Sequence, residues 1–316
     1  MNVNKKELDL VHKLAIDERS TIALQLIAWL SLQAKSQPQM VVDLLLDMRI
    51  GRCPRLADRA LSLFSENEHL QTTMLSKKAT QAFCDQITAC DSIGGHWVGK
   101  FLNALSVRDF PCVIEMLKQR VVLAETERVS TDFRPLPFRW DDMSPISAIG
   151  SLKRRLLLDD LRDWASVSTD RSVRHYLRTR LFGILAGEID LEVLESIECG
   201  LESELDRAKL VTRLIAEFPA EVVWENSNWI IEMLEKTSRR SRDLHKSLRA
   251  ALHQAVTSGI RHGVPGEPFP EDLEQYKQAK EIAARLVPGS AAENFYRALQ
   301  HSAEDSIARS SEDDWI

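Results

Sequence analysis

Two runs of cations carry the spacing most readily put to chemical use. The first is Lys153-Arg154-Arg155 followed by Arg171, Arg174, His175, Arg178 and Arg180. The second is Lys236, Arg239, Arg240, Arg242, Lys246 and Arg249, with His245 and His253 interleaved. Arg171, Arg174 and Arg178 step by three and four, as do Arg239, Arg242, Lys246 and Arg249. Residues at those steps share one helical face. Two such ridges, if exposed together, form a groove for an acidic protein or for a phosphate backbone. The same residues could instead be a solvated surface that balances the acidic stretch 188–206, which holds eight carboxylates and no base. No aromatic is interleaved with either run, which argues against stacking on single-stranded nucleic acid. The contact residues expected from this pattern are Arg154, Arg155, Arg174, Arg178, Arg239, Arg242, Lys246 and Arg249.

A third candidate is the loop 133–140, which packs three aromatics and two arginines into eight positions. Either it plugs a seam between two halves of the chain, or Phe138 and Trp140 are exposed anchors, since aromatics and arginine dominate binding hot spots.

Other constellations fail on spacing. Gly94-Gly95-His96-Trp97-Val98-Gly99-Lys100 has glycines and a lysine but lacks the order of a phosphate-binding loop. Phe101 stands where a hydroxyl would meet magnesium. It reads as a turn between helices. His245 and His253 stand eight apart, roughly 12 Å along a helix at 1.5 Å per residue, too far for one metal ion. Asp159, Asp160 and Asp163 alternate with Arg154, Arg155 and Arg162, which reads as a salt-bridged surface. The five cysteines, Cys53, Cys84, Cys90, Cys112 and Cys199, include no CxxC pair and read as small core residues. A nucleophilic pair of Cys84 or Cys112 with His96 would need a tertiary coincidence. No metal, cofactor or small-molecule substrate is indicated.

What must position these residues is helix. The chain has 12 glycines and 11 prolines in 316 residues, and they cluster, leaving long stretches of Leu, Ala, Glu, Arg and Ile. Apolar residues recur at helical spacing. The first helix is expected near 5–16. The second, 20–34, carries two adjacent stripes, Ile22/Leu26/Trp29 and Ala23/Ile27/Leu30, as a helix covered on two sides would. A long helix is expected over 72–90, and Asp109 with Pro111 marks another start. Leu244, Leu248, Ala251, Leu252 and Ala255 hold one face of a helix beginning near Arg242. Ser290 and Glu293 form a capping-box pattern. Pro135, Pro137 and Pro145 forbid regular helix over 130–146, so the chain is expected to divide into 1–129 and 147–316 across that linker.

About thirteen helices joined by short turns pack antiparallel, pair after pair, every 35 to 45 residues or so. In this the chain resembles HEAT and armadillo repeat proteins. The resemblance implies an all-α, right-handed α–α superhelix that works as a protein-binding scaffold. The segment Gly266-Glu-Pro-Phe-Pro-Glu-Asp-Leu, with Pro288-Gly-Ser and Asn294-Phe-Tyr-Arg-Ala-Leu, also looks like the closing part of helical-repeat regions in large bacterial multi-domain proteins. Some of those carry an NTPase domain of the phage-defence kind, for which this sequence shows no motif. The expected partner is an acidic protein, within a multi-component bacterial assembly such as a defence system. Nucleic acid held on the same ridges is the alternative. A net charge of −6 supplies no global basic field. The absence of a leader pattern or a long apolar run points to the cytoplasm rather than a membrane.

Overall fold

In the computed structural model, residues 16–126, 132–136, 151–167, 175–258, 264 and 266–311 are described. Among them are fourteen α-helices and no strand. The expected helix at 5–16 and most of the loop 137–150 lie outside the described residues. The chain forms two compact units, one of residues 1–154 and 171–187, the other of 155–170 and 188–316.

In the first unit, α1 (Ile16–Gln33) buries Ala23, Ile27, Leu30 and then Ala34, one stripe at steps of four, three and four. The companion stripe differs from expectation: Ile22 is exposed and Leu26 and Trp29 are half-buried, so the wide apolar arc is fully covered on one side. Pro38 starts α2 (Pro38–Asp47), which buries Val41, Val42 and Leu45. A left-handed residue, Arg49, turns the chain into a short 3-10 turn, Ile50–Arg52. Gly51 is required there, because a Cβ would lie 1.8 Å from the carbonyl oxygen of Gln86. Pro54 begins α3 (Pro54–Glu66), where a missing N–H costs nothing.

The expected long helix 72–90 is instead broken. A 3-10 turn, Thr72–Met74, precedes α4 (Lys77–Thr88), whose cap is Ser76, accepting from the Ala79 N–H at 3.1 Å. Serine competes with helix through its own hydroxyl, and here it wins the first-turn amide. The next helix, α5 (His96–Thr126), is kinked at Asp109, whose backbone leaves helical geometry and whose carboxylate accepts from the Cys112 N–H. Asp109 and Pro111 thus restart the helix as their types require. Phe64, Phe83 and Phe101, one each from α3, α4 and α5, meet with ring centroids 5.0–5.5 Å apart. Here α1 packs on α3, α2 on α4 and α3 on α5, so helices two apart in the chain are neighbours. After α6 (Ser151–Ala165), which runs from the first unit into the second, α7 (His175–Ala186) returns to pack on α5.

Arg120 closes this unit. Its guanidinium is wholly buried, and the hydrogen bonds it donates go to backbone carbonyls. It donates to the carbonyls of Ile87, Thr88 and Cys90, at 2.6–2.8 Å, which end α4. It also donates to the carbonyls of Arg134 and Pro135 and lies over the Phe133 ring, 4.6 Å from its centroid. An isolated bridge between Ser92 and Arg134 lies beside it. The start of the proline-rich segment, 132–136, is therefore tied to the first unit. The helix α7 belongs to that same unit.

In the second unit, α8 (Leu191–Leu201) is capped by Asp190, and α9 (Leu205–Ile215) packs on it. Gly200 permits the approach, since a Cβ would meet Arg162 Cδ at 2.7 Å and Val211 at 3.0 Å. The short α10 (Ala220–Glu225) precedes α11 (Ser227–Arg240). Ser241 then caps α12 (Arg242–Thr257). Proline begins α13 (Pro270–Ala284), which packs on α14 (Ala291–Ser311). Ser290 Oγ accepts from the Glu293 N–H at 3.1 Å as the capping box requires, but the glutamate's return bond reaches the Gly289 N–H at 3.3 Å, one residue early. Gly289 is left-handed there.

Replacing Arg120 by methionine keeps the volume and removes every donor. Each buried carbonyl left without a partner costs about 1 kcal/mol or more, so R120M is expected to lower stability by about 3 kcal/mol or more in urea unfolding. R120K recovers little of that loss, because an ammonium has three donors for five carbonyls.

Candidate anion-binding groove

The two cationic runs fare differently. In the first, Arg178 is not on a ridge: it is buried, and its guanidinium holds the Glu125 carboxylate through two nitrogens at 2.7–3.1 Å, joining α7 to α5. Arg154 is buried too. Arg155 is paired with Glu195 at 2.6 Å and Asp159 at 3.4 Å. Arg174, Phe138 and Trp140 lie outside the described residues. The expected groove is therefore not formed by Arg154, Arg155 and Arg178. A long guanidinium on an amphipathic helix lowers its energy by turning inward once a buried carboxylate meets it.

The acidic trio between those arginines is neutralised locally. Arg162 donates to Asp159 and Asp163 at 2.7 Å each, and to the Ser196 carbonyl at 2.7 Å. Arg207 also holds Asp163, and these guanidinium bonds keep the Asp163 carboxyl below the usual carboxylate range against the upward pull of desolvation. The glycine turn is likewise self-contained. The Asp58 carboxylate accepts from the Trp97 and Val98 N–H groups at 2.8 and 3.2 Å, taking the first turn of α5 where a phosphate would have to sit. Among the described residues no group of three or more His, Cys, Asp or Glu is arranged to hold a metal ion. Cys84 and Cys112 contact each other, while the His96 ring packs against Trp97.

The second run is divided between paired and exposed cations. Lys236 is spent on Glu198 and Glu232, and Arg240 donates to the carbonyls of Leu201 and Ser203 beyond the end of α8. Arg239 is exposed on α11. Arg242, Lys246 and Arg249, on α12, line a cleft of about 680 Å³ with His245, His253, Asp243 and Ala250, and with Phe295 and Ala298 from α14. Ala250 and Ala298 are small and exposed, and Phe295 is buried beneath them. The groove thus has an apolar floor and a cationic wall. From Arg242 to His253 that wall is roughly 16 Å long at 1.5 Å per residue.

Among the described residues, Arg242, Lys246 and Arg249 form no ion pair, and Asp243, the acid at the rim, lies 3.9 Å from Lys209 instead. Like charges at i and i+4 on a helix cost about 0.2–0.5 kcal/mol per pair. Three unneutralised cations on one face are thus an arrangement a stable helix alone would not favour. Beside them His245 Nδ1 stands 3.3 Å from the Thr237 hydroxyl of α11. Burial and the neighbouring Arg249 hold the His245 imidazole below its ordinary range, partly offset by Glu235 and the Leu234 carbonyl. Sequence reasoning missed Phe295 and Ala298, which come from a helix some fifty residues away and carry no charge signal.

A second cleft of about 680 Å³ opens around Trp224 and is rimmed by Glu221, Glu271 and Glu274. It gathers no residue of either cationic run. Among the described residues no helix is long and apolar enough to cross a membrane. Comparison with protein families, with curated proteins and with solved structures finds no match.

The lowered His245 value has a defined sign. The unfolded chain takes its proton first as pH falls below about 6.5, so folded stability is full above that pH and declines as pH drops toward the lower folded value. Between pH 7.5 and 5.5 the urea midpoint of the wild type is expected to fall further than that of H245Q. The two curves should converge above pH 7.

Proposed function

We propose that this chain is a non-enzymatic binding scaffold of the HEAT or armadillo type, whose groove on α12 holds an acidic segment of a partner protein. Right-handed stacking of helical hairpins within each unit is part of the reading. What supports repeated stacking, in the first unit, is the packing of helices two apart in the chain, α1 on α3, α2 on α4 and α3 on α5; the right hand comes from the resemblance alone. The observation that carries the functional reading is the unneutralised line of Arg242, Lys246 and Arg249 above an apolar floor. Elsewhere in the molecule Arg155, Arg162 and Arg207 meet carboxylates of their own unit. Among the described residues these three do not, and an acidic ligand would supply the missing charge.

The groove's roughly 16 Å matches about five residues of extended peptide at 3.3 Å each. A peptide with carboxylates on alternate residues would place them along the cation line and its small apolar groups on Ala250, Ala298 and Phe295. The partner belongs, on this reading, to a multi-component bacterial assembly in the cytoplasm, with phage defence the role that the likeness of the closing helices supports. A phosphate backbone would satisfy the same three cations and is the competing ligand.

A labelled oligoglutamate peptide and a labelled duplex DNA, each titrated by fluorescence anisotropy at about 50 and 200 mM salt, separate these. The peptide is expected to bind, and the triple reversal R242E/K246E/R249E is expected to weaken it about tenfold or more, each rim charge contributing on the order of 0.5 kcal/mol or more, with an unchanged helical circular dichroism spectrum. Tighter binding of DNA, with a log–log salt slope near −2 to −3 as three phosphate contacts require, transfers the groove to nucleic acid. No binding of either probe at the lower salt, or binding indifferent to the reversal, removes the proposal.

A further inference from the structure

Cys84 of α4 and Cys112 of α5 face one another with their sulfur atoms 3.1 Å apart, and neither is in a disulfide. A disulfide bond is about 2.05 Å long, so roughly 1 Å of approach separates contact from bond, the scale of ordinary displacement in a folded protein. The pair is asymmetric. Cys84 is buried, while Cys112 is half-buried between the exposed Pro111 and Glu115. The Cys112 thiol has the Gln81 carboxamide oxygen at 3.6 Å, on an exposed side chain of α4. Cys112 also stands in the first turn of the helix that restarts at Asp109, where its N–H is bound by the Asp109 carboxylate.

We propose that Cys84 and Cys112 are an oxidation site that closes to an intramolecular disulfide when the protein meets a peroxide. The outer thiol reacts first. The Cys112 thiolate attacks one peroxide oxygen and becomes a sulfenic acid, and the other oxygen leaves as hydroxide or alkoxide and takes up the proton Cys112 gave up. Cys84 then gives up its proton, its sulfur attacks the Cys112 sulfur, and the sulfenic hydroxyl departs with that proton as water. Two thiols lose two electrons and one peroxide gains them. Burial pushes both thiols up, with Asp85 and Asp109 adding to the effect. Thiolate is therefore scarce near neutrality, and the rate rises about tenfold per pH unit over that range.

The bond would tie α4 to the 110–126 segment of α5 at its middle. In the thiol form Arg120 already joins these helices at the end of α4, through the carbonyls of Ile87 and Thr88. Oxidation therefore supplies a second fastening for the same two helices, independent of the first.

The full-length chain is treated with hydrogen peroxide at mildly alkaline pH, alkylated and mapped by mass spectrometry without reduction. The expected result is a peptide pair linked through Cys84 and Cys112, with Cys53, Cys90 and Cys199 still alkylated, and faster linkage at higher pH. Oxidation should also raise the unfolding midpoint of R120M and leave R120M/C112S unmoved. Five alkylated thiols, Cys112 carried to sulfinic acid without a link, or Cys84 joined to a different cysteine would each overturn the assignment. Mapping of the wild type decides the matter whether or not the variants fold.

Discussion

A guanidinium cannot be buried without partners for its N–H groups, and in this protein that requirement decides how helices are joined. Arg120 meets it with carbonyls alone: three from the end of α4 and two from the segment after α5. A helix end has carbonyls with no partner inside the helix, and a proline-rich segment has carbonyls with no ladder to join. One side chain answers both deficits. The cost of removing the charge from water is visible in the guanidinium itself, whose proton affinity burial pushes down to about 10. Arg162 and Arg240 do related work around the C-terminal part of α8, and Arg178 does it with a carboxylate. These arginines bind elements distant in sequence where an apolar stripe would hold only neighbours.

This internal use of arginine explains what was legible in the sequence and what was not. Apolar spacing identified the buried face of α12 residue by residue, because Leu244, Leu248 and Leu252 have nowhere else to go. Asp109 and Pro111 marked the start of the second half of α5 for local reasons that need no tertiary information. By contrast, Arg178 and Lys246 are indistinguishable as members of a cationic run. One is buried against Glu125, fifty-three residues away in sequence; the other is exposed. The break at Ser76 was missed for a related reason: alanine, leucine and lysine around it favour helix, and only the hydroxyl's bond to Ala79 shows which side of the balance prevails.

The groove follows the same logic in reverse. Its cations remain on the surface because α12 and α14 present small residues, Ala250 and Ala298, where they face the cleft, leaving Phe295 as a floor. Half of it was readable as charge at helical spacing. The other half, an uncharged wall from a later helix, had no mark that distinguishes it from ordinary core.

Asp58 carries a consequence of a different kind. By seating its carboxylate on the amides of Trp97 and Val98, the chain supplies its own counter-anion to the first turn of α5. A visiting anion would have to evict a group tethered at very high effective concentration. The amides of that one turn are thereby withdrawn from anion recognition, because their donors are already engaged by a side chain of the same unit.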